Sequence, residues 1–175
     1  EAVSDKKEIE AINKKVYDKS DKEINQIYGE GRKVSLEYFE EVYKKLNTKF
    51  DFYFFESETA PIGKKIVEDN VGKVFEESDG AVVFKGEKFD SSLHTRVFIN
   101  SQGIPTYEAK DLGNAKNKSD KWNHDLSVVV TGNEIKDYFR VVLAAMAQVF
   151  PDLAKKTKHL PHGMLRLPTG KMSSR

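Results

Sequence analysis

The sequence predicts an α/β fold: a parallel sheet of the doubly wound kind, preceded by a helical and α+β section. Three observations carry that prediction. Leu126-Ser127-Val128-Val129-Val130-Thr131 is a continuous β-branched run, as expected of a strand covered on both faces. Gly132-Asn133-Glu134 ends it, and a helical period follows from about Ile135 to Phe150, with Phe139, Val142, Leu143, Met146 and Phe150 on one side. Strand, glycine turn and helix make a βα unit, whose loop at the strand's C-terminal end binds ligands in doubly wound folds. Finally, Lys158-His159-Leu160 reads as a further strand, leading into a segment of glycines, proline, hydroxyls and lysine.

A chain of 175 residues fits one domain, or one and a small appendage, with a substantial core. Twenty-nine Lys and Arg against 28 Asp and Glu leave a formal charge of +1, which gives no global case for nucleic acid. There is no cysteine, which excludes disulfides and thiolate metal sites. The histidines, at 94, 124, 159 and 162, have no close ligand spacing, so no structural metal is expected. The longest apolar run, Val141 to Ala147, is far short of the roughly 20 residues that span a bilayer, and the charged opening has no signal-peptide pattern. The expectation is a soluble, intracellular, cytoplasmic protein. An opening at glutamate and an end inside a loop motif suggest an excised piece of a longer one.

Along the chain, Ile9, Ile12, Val16, Ile24 and Ile27 give a thin apolar stripe on one or two surface helices, ended by Gly29 and Gly31. Ser35 then caps a helix whose Leu36, Phe39, Val42, Tyr43 and Leu46 form a core face. Phe52 to Phe55 reads as a strand, packing its aromatics rather than offering a base-stacking platform, because no Lys or Arg is interleaved. Pro61 opens a short helix to about Asn70 with Ile62, Ile66 and Val67 inward. Ala81-Val82-Val83-Phe84 and Arg96-Val97-Phe98-Ile99 form antiparallel strands, with tight turns at Asp79-Gly80 and Gln102-Gly103. Lys116 to Asp125 is a loop. Pro151 ends the long helix or opens a short second one.

Three places carry chemistry. With Thr106 capping a helix, Tyr107 and Asp111 lie four apart on one face; a hydroxyl and a carboxylate projecting together suit a planar guanidinium. Such a pair is more often surface decoration. Gly132 lets a nucleotide approach the backbone and Glu134 can accept from ribose hydroxyls, against the simpler reading of a turn with a solvated glutamate. Last, His162-Gly163-Met164-Leu165-Arg166-Leu167-Pro168-Thr169-Gly170-Lys171-Met172-Ser173-Ser174-Arg175 offers an ammonium, hydroxyls and backbone N–H groups suited to phosphate oxygens. A plain C-terminal tail has a similar composition. His159 reads as structural.

His162-Gly163-Met164 followed by Gly170-Lys171-Met172-Ser173-Ser174 resembles the second signature of class I aminoacyl-tRNA synthetases, and its wording looks most like the arginyl-tRNA synthetase family. The loop departs from the consensus at Ser174, where a second lysine would stand, and at Arg175. The resemblance spans about Phe52 to Arg175 and is strongest over Leu93 to Asp111, Val130 to Phe139 and His162 to Ser174. It implies a Rossmann-like catalytic fold. Residues 101–175 are then the C-terminal half of the catalytic domain, cut at the Lys-Met-Ser-Ser loop, and residues 1–100 a helical and α+β connective insertion. It implies catalysis by Lys171, Ser173 and Ser174 acting on the phosphates of ATP, arginine binding by Tyr107 and Asp111, and adenosine binding by Gly132, Asn133, Glu134, His162, Gly163 and Met164. ATP with Mg²⁺ and arginine are the implied substrates, with tRNA-Arg a partner of the full-length protein, no membrane and a monomeric state.

The family's other signature, His-x-Gly-His, is absent from these 175 residues. The chain alone is therefore expected to form no adenylate, and, without the helical anticodon-binding domain, to bind tRNA weakly. Two other readings stand beside this one. A non-catalytic nucleotide- or RNA-binding module would bind RNA with steep salt dependence and ignore arginine. A plain interaction domain would associate through a half-exposed sheet.

Overall fold

The structure, a computed structural model, describes residues 6–163, 166–168 and 170–171, with the side chains at 166, 167, 170 and 171 left aside. It forms two compact units, Glu1–Tyr53 and Phe54–Arg175.

In the first unit α1 (Lys6–Asp18) is followed by α2 (Lys22–Lys45). Asp21 caps α2, accepting from the Ile24 N–H at 3.2 Å and from Lys15 at 3.1 Å. The expected stop at Gly29 and Gly31 does not occur: α2 runs through both, and Ser35, expected as a cap, sits mid-helix donating to the Gly31 carbonyl at 2.9 Å. Each glycine costs about 1 kcal/mol relative to alanine, and helix propagation over 24 residues outweighs two such costs. Contacts one turn apart, such as Gln26 to Glu30 at 2.9 Å, assist.

The expected core face of α2 is not a core either, since neither helix has a buried residue. Its Phe39 and Tyr43 instead join Phe50 and Tyr53, beyond the helix end, in a half-exposed ladder with successive centroids 6.3, 4.8 and 6.2 Å apart. The strand expected at Phe52 to Phe55 is absent: these residues are irregular, with Phe52 and Tyr53 exposed and Phe55 at the cap position of the next helix. High β-propensity makes no strand without a neighbouring backbone to pair with.

The second unit begins with α3 (Glu56–Glu68), which opens five residues before Pro61 and still buries Val67. An antiparallel sheet follows: β1 (Glu76–Ser78), β2 (Ala81–Lys85) and β3 (Thr95–Ile99). Asp79 and Gly80, at φ 49° and 77°, turn β1 into β2 with Ser78 opposite Ala81. β2 and β3 pair antiparallel, as the sequence predicts; Val83 faces Val97 and Phe84 faces Arg96, and β1 is an added strand.

Next come α4 (Tyr107–Lys121), β4 (Ser127–Gly132), α5 (Lys136–Val149), α6 (Pro151–Lys156) and β5 (Thr157–His162), then a small antiparallel pair, β6 (Arg166–Leu167) and β7 (Gly170–Lys171). The loop expected from Lys116 is helix as far as Lys121, because Ala115 and Asn117 continue the buried side and Lys116 pairs with Asp120 at 2.5 Å. One core gathers Phe75, Phe84 and Phe98 with Val67, Leu112, Val141 and Val142.

β4 and β5 pair in parallel, from Ser127 opposite Thr157 to Gly132 opposite His162. α5 lies against one face through Phe139 and Val142. On the other, Val128, Val130 and Leu160 are exposed, so among the described residues β4 is not covered on both sides as its composition suggests. The α/β class is observed.

Candidate functional site

α4 is fixed at both its start and its middle. The Thr106 hydroxyl makes no cap bond to the helix; it donates to the Val97 carbonyl at 2.7 Å, while the Thr106 N–H donates to Phe98 at 2.9 Å, tying the helix start to β3. Further along, α3 and α4 cross on glycine. A Cβ on Gly63 would lie 1.9 Å from the Ala109 carbonyl oxygen, and one on Gly113 would lie 2.2 Å from that of Thr59. Backbone thus packs on backbone, and the direction of α4 is set.

On this helix Tyr107, Glu108 and Asp111 take different surroundings. Tyr107 is 65% exposed, with the Lys110 ammonium 4.8 Å from its ring centroid. Glu108 is buried and accepts from the Arg96 guanidinium at 2.9 Å. Asp111 is half-buried, and its Oδ2 accepts from the Tyr138 hydroxyl at 2.5 Å. Burial pushes the Asp111 carboxyl above its ordinary value of 3.8, opposed by the Tyr138 hydrogen bond; Glu108 and Glu56 raise it further and Lys118 lowers it. Burial and the Asp111 charge likewise hold the Tyr138 hydroxyl well above the usual phenol range. The Arg96 guanidinium lies 5.1 Å from the Tyr138 ring centroid and donates from Nε to His94 at 3.0 Å.

Beneath β4 a groove of about 240 Å³ runs between α4 and α5. Asp111, Asn114 and Lys118 line it, with Val129, Val142 and Met146 among its apolar walls. The Asn114 Oδ1 is buried without a partner among the described residues, and Lys118, pushed below the usual ammonium range by burial, donates to the Ser127 hydroxyl at 3.1 Å.

At the C-terminal ends of the parallel pair Gly132 and His162 stand side by side. Asn133 and Glu134 follow in one exposed 3-10 turn, and His162, also exposed, donates from Nδ1 to the Gly163 carbonyl at 2.7 Å. His159 is structural, as expected: it bonds the Thr131 hydroxyl at 2.7 Å and stacks on Phe139 at 4.3 Å.

The two pieces that the sequence analysis expects at a nucleotide, Gly132-Asn133-Glu134 and His162-Gly163, therefore come together. Tyr138, one turn beyond Glu134, links them to Asp111. Tyr107 and Asp111 share a helix, but among the described residues no hydrogen bond joins them. Met164, Ser173 and Ser174 lie outside the described residues. Lys171 is placed by its backbone alone, opposite Arg166. Sequence reasoning missed Tyr138, whose partner is 27 residues away. The available signal was a hydroxyl-bearing residue next to the buried Phe139 in the first turn after Glu134.

A family model described as "tRNA synthetases class I (R), catalytic domain" matches residues 4–175. The arginine–tRNA ligase of Borreliella burgdorferi is 30% identical over 167 residues, covering 91% of this chain and 28% of that protein. That of Borreliella afzelii is 34% identical over 148 residues, covering 81% and 25%. Among solved structures, arginyl-tRNA synthetase from Plasmodium falciparum superposes with a TM-score of 0.70 at 16% identity, over 84% of this chain and 26% of that one. The Thermus thermophilus arginyl-tRNA synthetase gives 0.66 at 20% identity, over 90% and 35%, a likeness of fold. The chain spans about a quarter of the length of these curated relatives.

Proposed function

The chain belongs to the class I tRNA synthetase (R) catalytic-domain family, and on that premise we propose that it supplies the second half of the catalytic domain of an arginine–tRNA ligase. β4 and β5 are then two strands of a doubly wound sheet, with residues 1–100 a connective insertion ahead of it. Arginine and ATP, carried with Mg²⁺, condense to arginyl-adenylate, and tRNA-Arg takes the arginyl group. The arginine carboxylate attacks the α-phosphate and pyrophosphate leaves, so the protein's part is to position and neutralise charge, with no covalent intermediate on the enzyme.

The observation that carries this reading is the meeting of Gly132 and His162 at the ends of adjacent parallel strands, with a half-buried carboxylate, Asp111, tied to the first turn of α5. Ligands of open α/β sheets bind at the carboxyl ends of strands. Asp111 receives the substrate guanidinium, with Tyr107 closing over it; Asn133 and Glu134 meet the ribose; His162, Gly163 and Met164 flank the adenine. Lys171, Ser173 and Ser174 meet the phosphates. Because His-x-Gly-His is missing from these 175 residues, this chain alone forms no adenylate.

Titration of the chain with a non-hydrolysable arginyl-adenylate analogue tests the proposal. Saturable binding that is lost in a Tyr107→Phe, Asp111→Asn variant supports it. Salt-sensitive RNA binding without any response to the analogue would favour a nucleic-acid-binding module instead, and arginine-dependent pyrophosphate exchange by this chain would overturn the claim that it is inactive alone.

A further inference from the structure

We propose that Tyr138 is a positioning residue for the guanidinium receptor: its hydroxyl, donating to Oδ2, fixes the direction of the Asp111 carboxylate, so that the groove presents the other oxygen to a cationic planar group. This rests on reading Asp111 as the arginine-binding carboxylate.

Asp111 lines the groove and Tyr138 does not, so the hydroxyl reaches the carboxylate without occupying the ligand space. It engages Oδ2, and among the described residues Oδ1 accepts nothing. The carboxylate is therefore held by one oxygen and presents the other. Tyr138 is itself braced. Its ring sits against the Arg96 guanidinium at 5.1 Å, Arg96 is held by Glu108 at 2.9 Å, and Arg140, two residues on in α5, donates to the Ser92 hydroxyl at 2.5 Å. A ligand carboxylate drawn out of water is useless to a guanidinium if burial protonates it. The charged groups around Asp111 do not settle the matter by themselves: Glu108 and Glu56 favour the protonated form, and Lys118, seven residues along α4, opposes them together with the Tyr138 hydroxyl. Of these, the hydroxyl is the group that opposes burial most and the one that also dictates where the carboxylate points.

The test is Tyr138→Phe in the whole chain, which keeps the ring and its contact with Arg96. The Asp111 carboxyl is followed by carbon NMR across acid pH, and L-arginine is titrated calorimetrically at several pH values, with citrulline as the uncharged control. The expected result has two parts. The Asp111 midpoint rises, and arginine affinity falls roughly tenfold near pH 6, the size of a lost hydrogen bond to a charged group. In an Asp111→Asn background the same Tyr138→Phe change should alter arginine affinity no further. An unmoved Asp111 midpoint overturns the inference while leaving arginine binding by the wild-type chain to speak for the proposed function. A moved midpoint in a wild-type chain that binds no arginine overturns the proposed function and this role with it. Equal loss in the Asp111→Asn background would show Tyr138 acting on the fold rather than through Asp111, and overturns it as well.

Discussion

Gly132 and His162 are opposite partners at the last rung of the parallel ladder between β4 and β5. That register brings two sequence-distant motifs to one end of one sheet. His162 is exposed and, among the described residues, its side chain bonds only the neighbouring Gly163 carbonyl, so it does little for the fold there. His162→Ala should leave unfolding free energy within about 0.5 kcal/mol of the parent and still weaken binding of the adenylate analogue. Urea unfolding and calorimetry on the same samples check the two halves.

The Asp111 carboxyl has its folded-state value raised by burial above 3.8. In the window just above 3.8 the folded chain therefore holds a proton that the unfolded chain has released, and stability from this group falls as pH rises through that window. Asp111→Asn removes the liability. The variant should be more stable than wild type at pH 7, with a higher Tm, and the difference should shrink toward pH 4. Differential scanning calorimetry at both pH values measures it. The same variant should bind arginine more weakly, as carboxylates kept for binding commonly cost stability.

Close helix crossing makes Gly113 a sharper target. A methyl there would sit 2.2 Å from the Thr59 carbonyl oxygen and 2.6 Å from the Gly63 nitrogen, both backbone atoms. Gly113→Ala must force α3 and α4 apart, at a cost of about 3 kcal/mol. Chemical denaturation monitored by far-UV circular dichroism should show the loss.

The glycines of α2 predict the opposite sign. Gly29 and Gly31 lie in the helix interior, and a Cβ on either meets nothing within 4 Å. Gly29→Ala and Gly31→Ala should each stabilise the helix by roughly 0.5–1 kcal/mol, raising helicity and thermal midpoint of the first unit.

Arg96 holds the buried Glu108 and leans on Tyr138. Arg96→Gln leaves that carboxylate without its charged partner and should cost about 2 kcal/mol, less than a fully buried pair would because the guanidinium is partly exposed. Adding Glu108→Gln should recover part of the loss in a double-mutant cycle measured by urea titration.

How far the sequence foretold the structure depends on how local each signal is. The Asp79-Gly80 turn, the strands on either side of it, and the strand–turn–helix from Ser127 to Val149 are written in neighbouring residues, and they form as read. Glycine in α2 misled because a stop signal by itself is weaker than the cooperativity of the helix it interrupts. Phe52 to Phe55 misled because its propensity had no partner strand to act on. In α4 the polar surface of Lys116 to Lys121 hid a helix whose inward side is carried by small residues. Of the candidate site, the Gly132 and His162 pieces were readable as motifs, whereas the Tyr138–Asp111 bond joins residues 27 apart and leaves no periodic trace.

The glycine crossing of α3 and α4 has one more consequence. Where main chain abuts main chain there is no side chain to trim or extend, so α4 cannot be slid or tilted in small steps without breaking the contact. On the proposed reading of Asp111, any adjustment of what the groove accepts is thereby confined to the groups around a stationary axis, and selectivity can drift by exchange of hydroxyls and charges while the scaffold stays put.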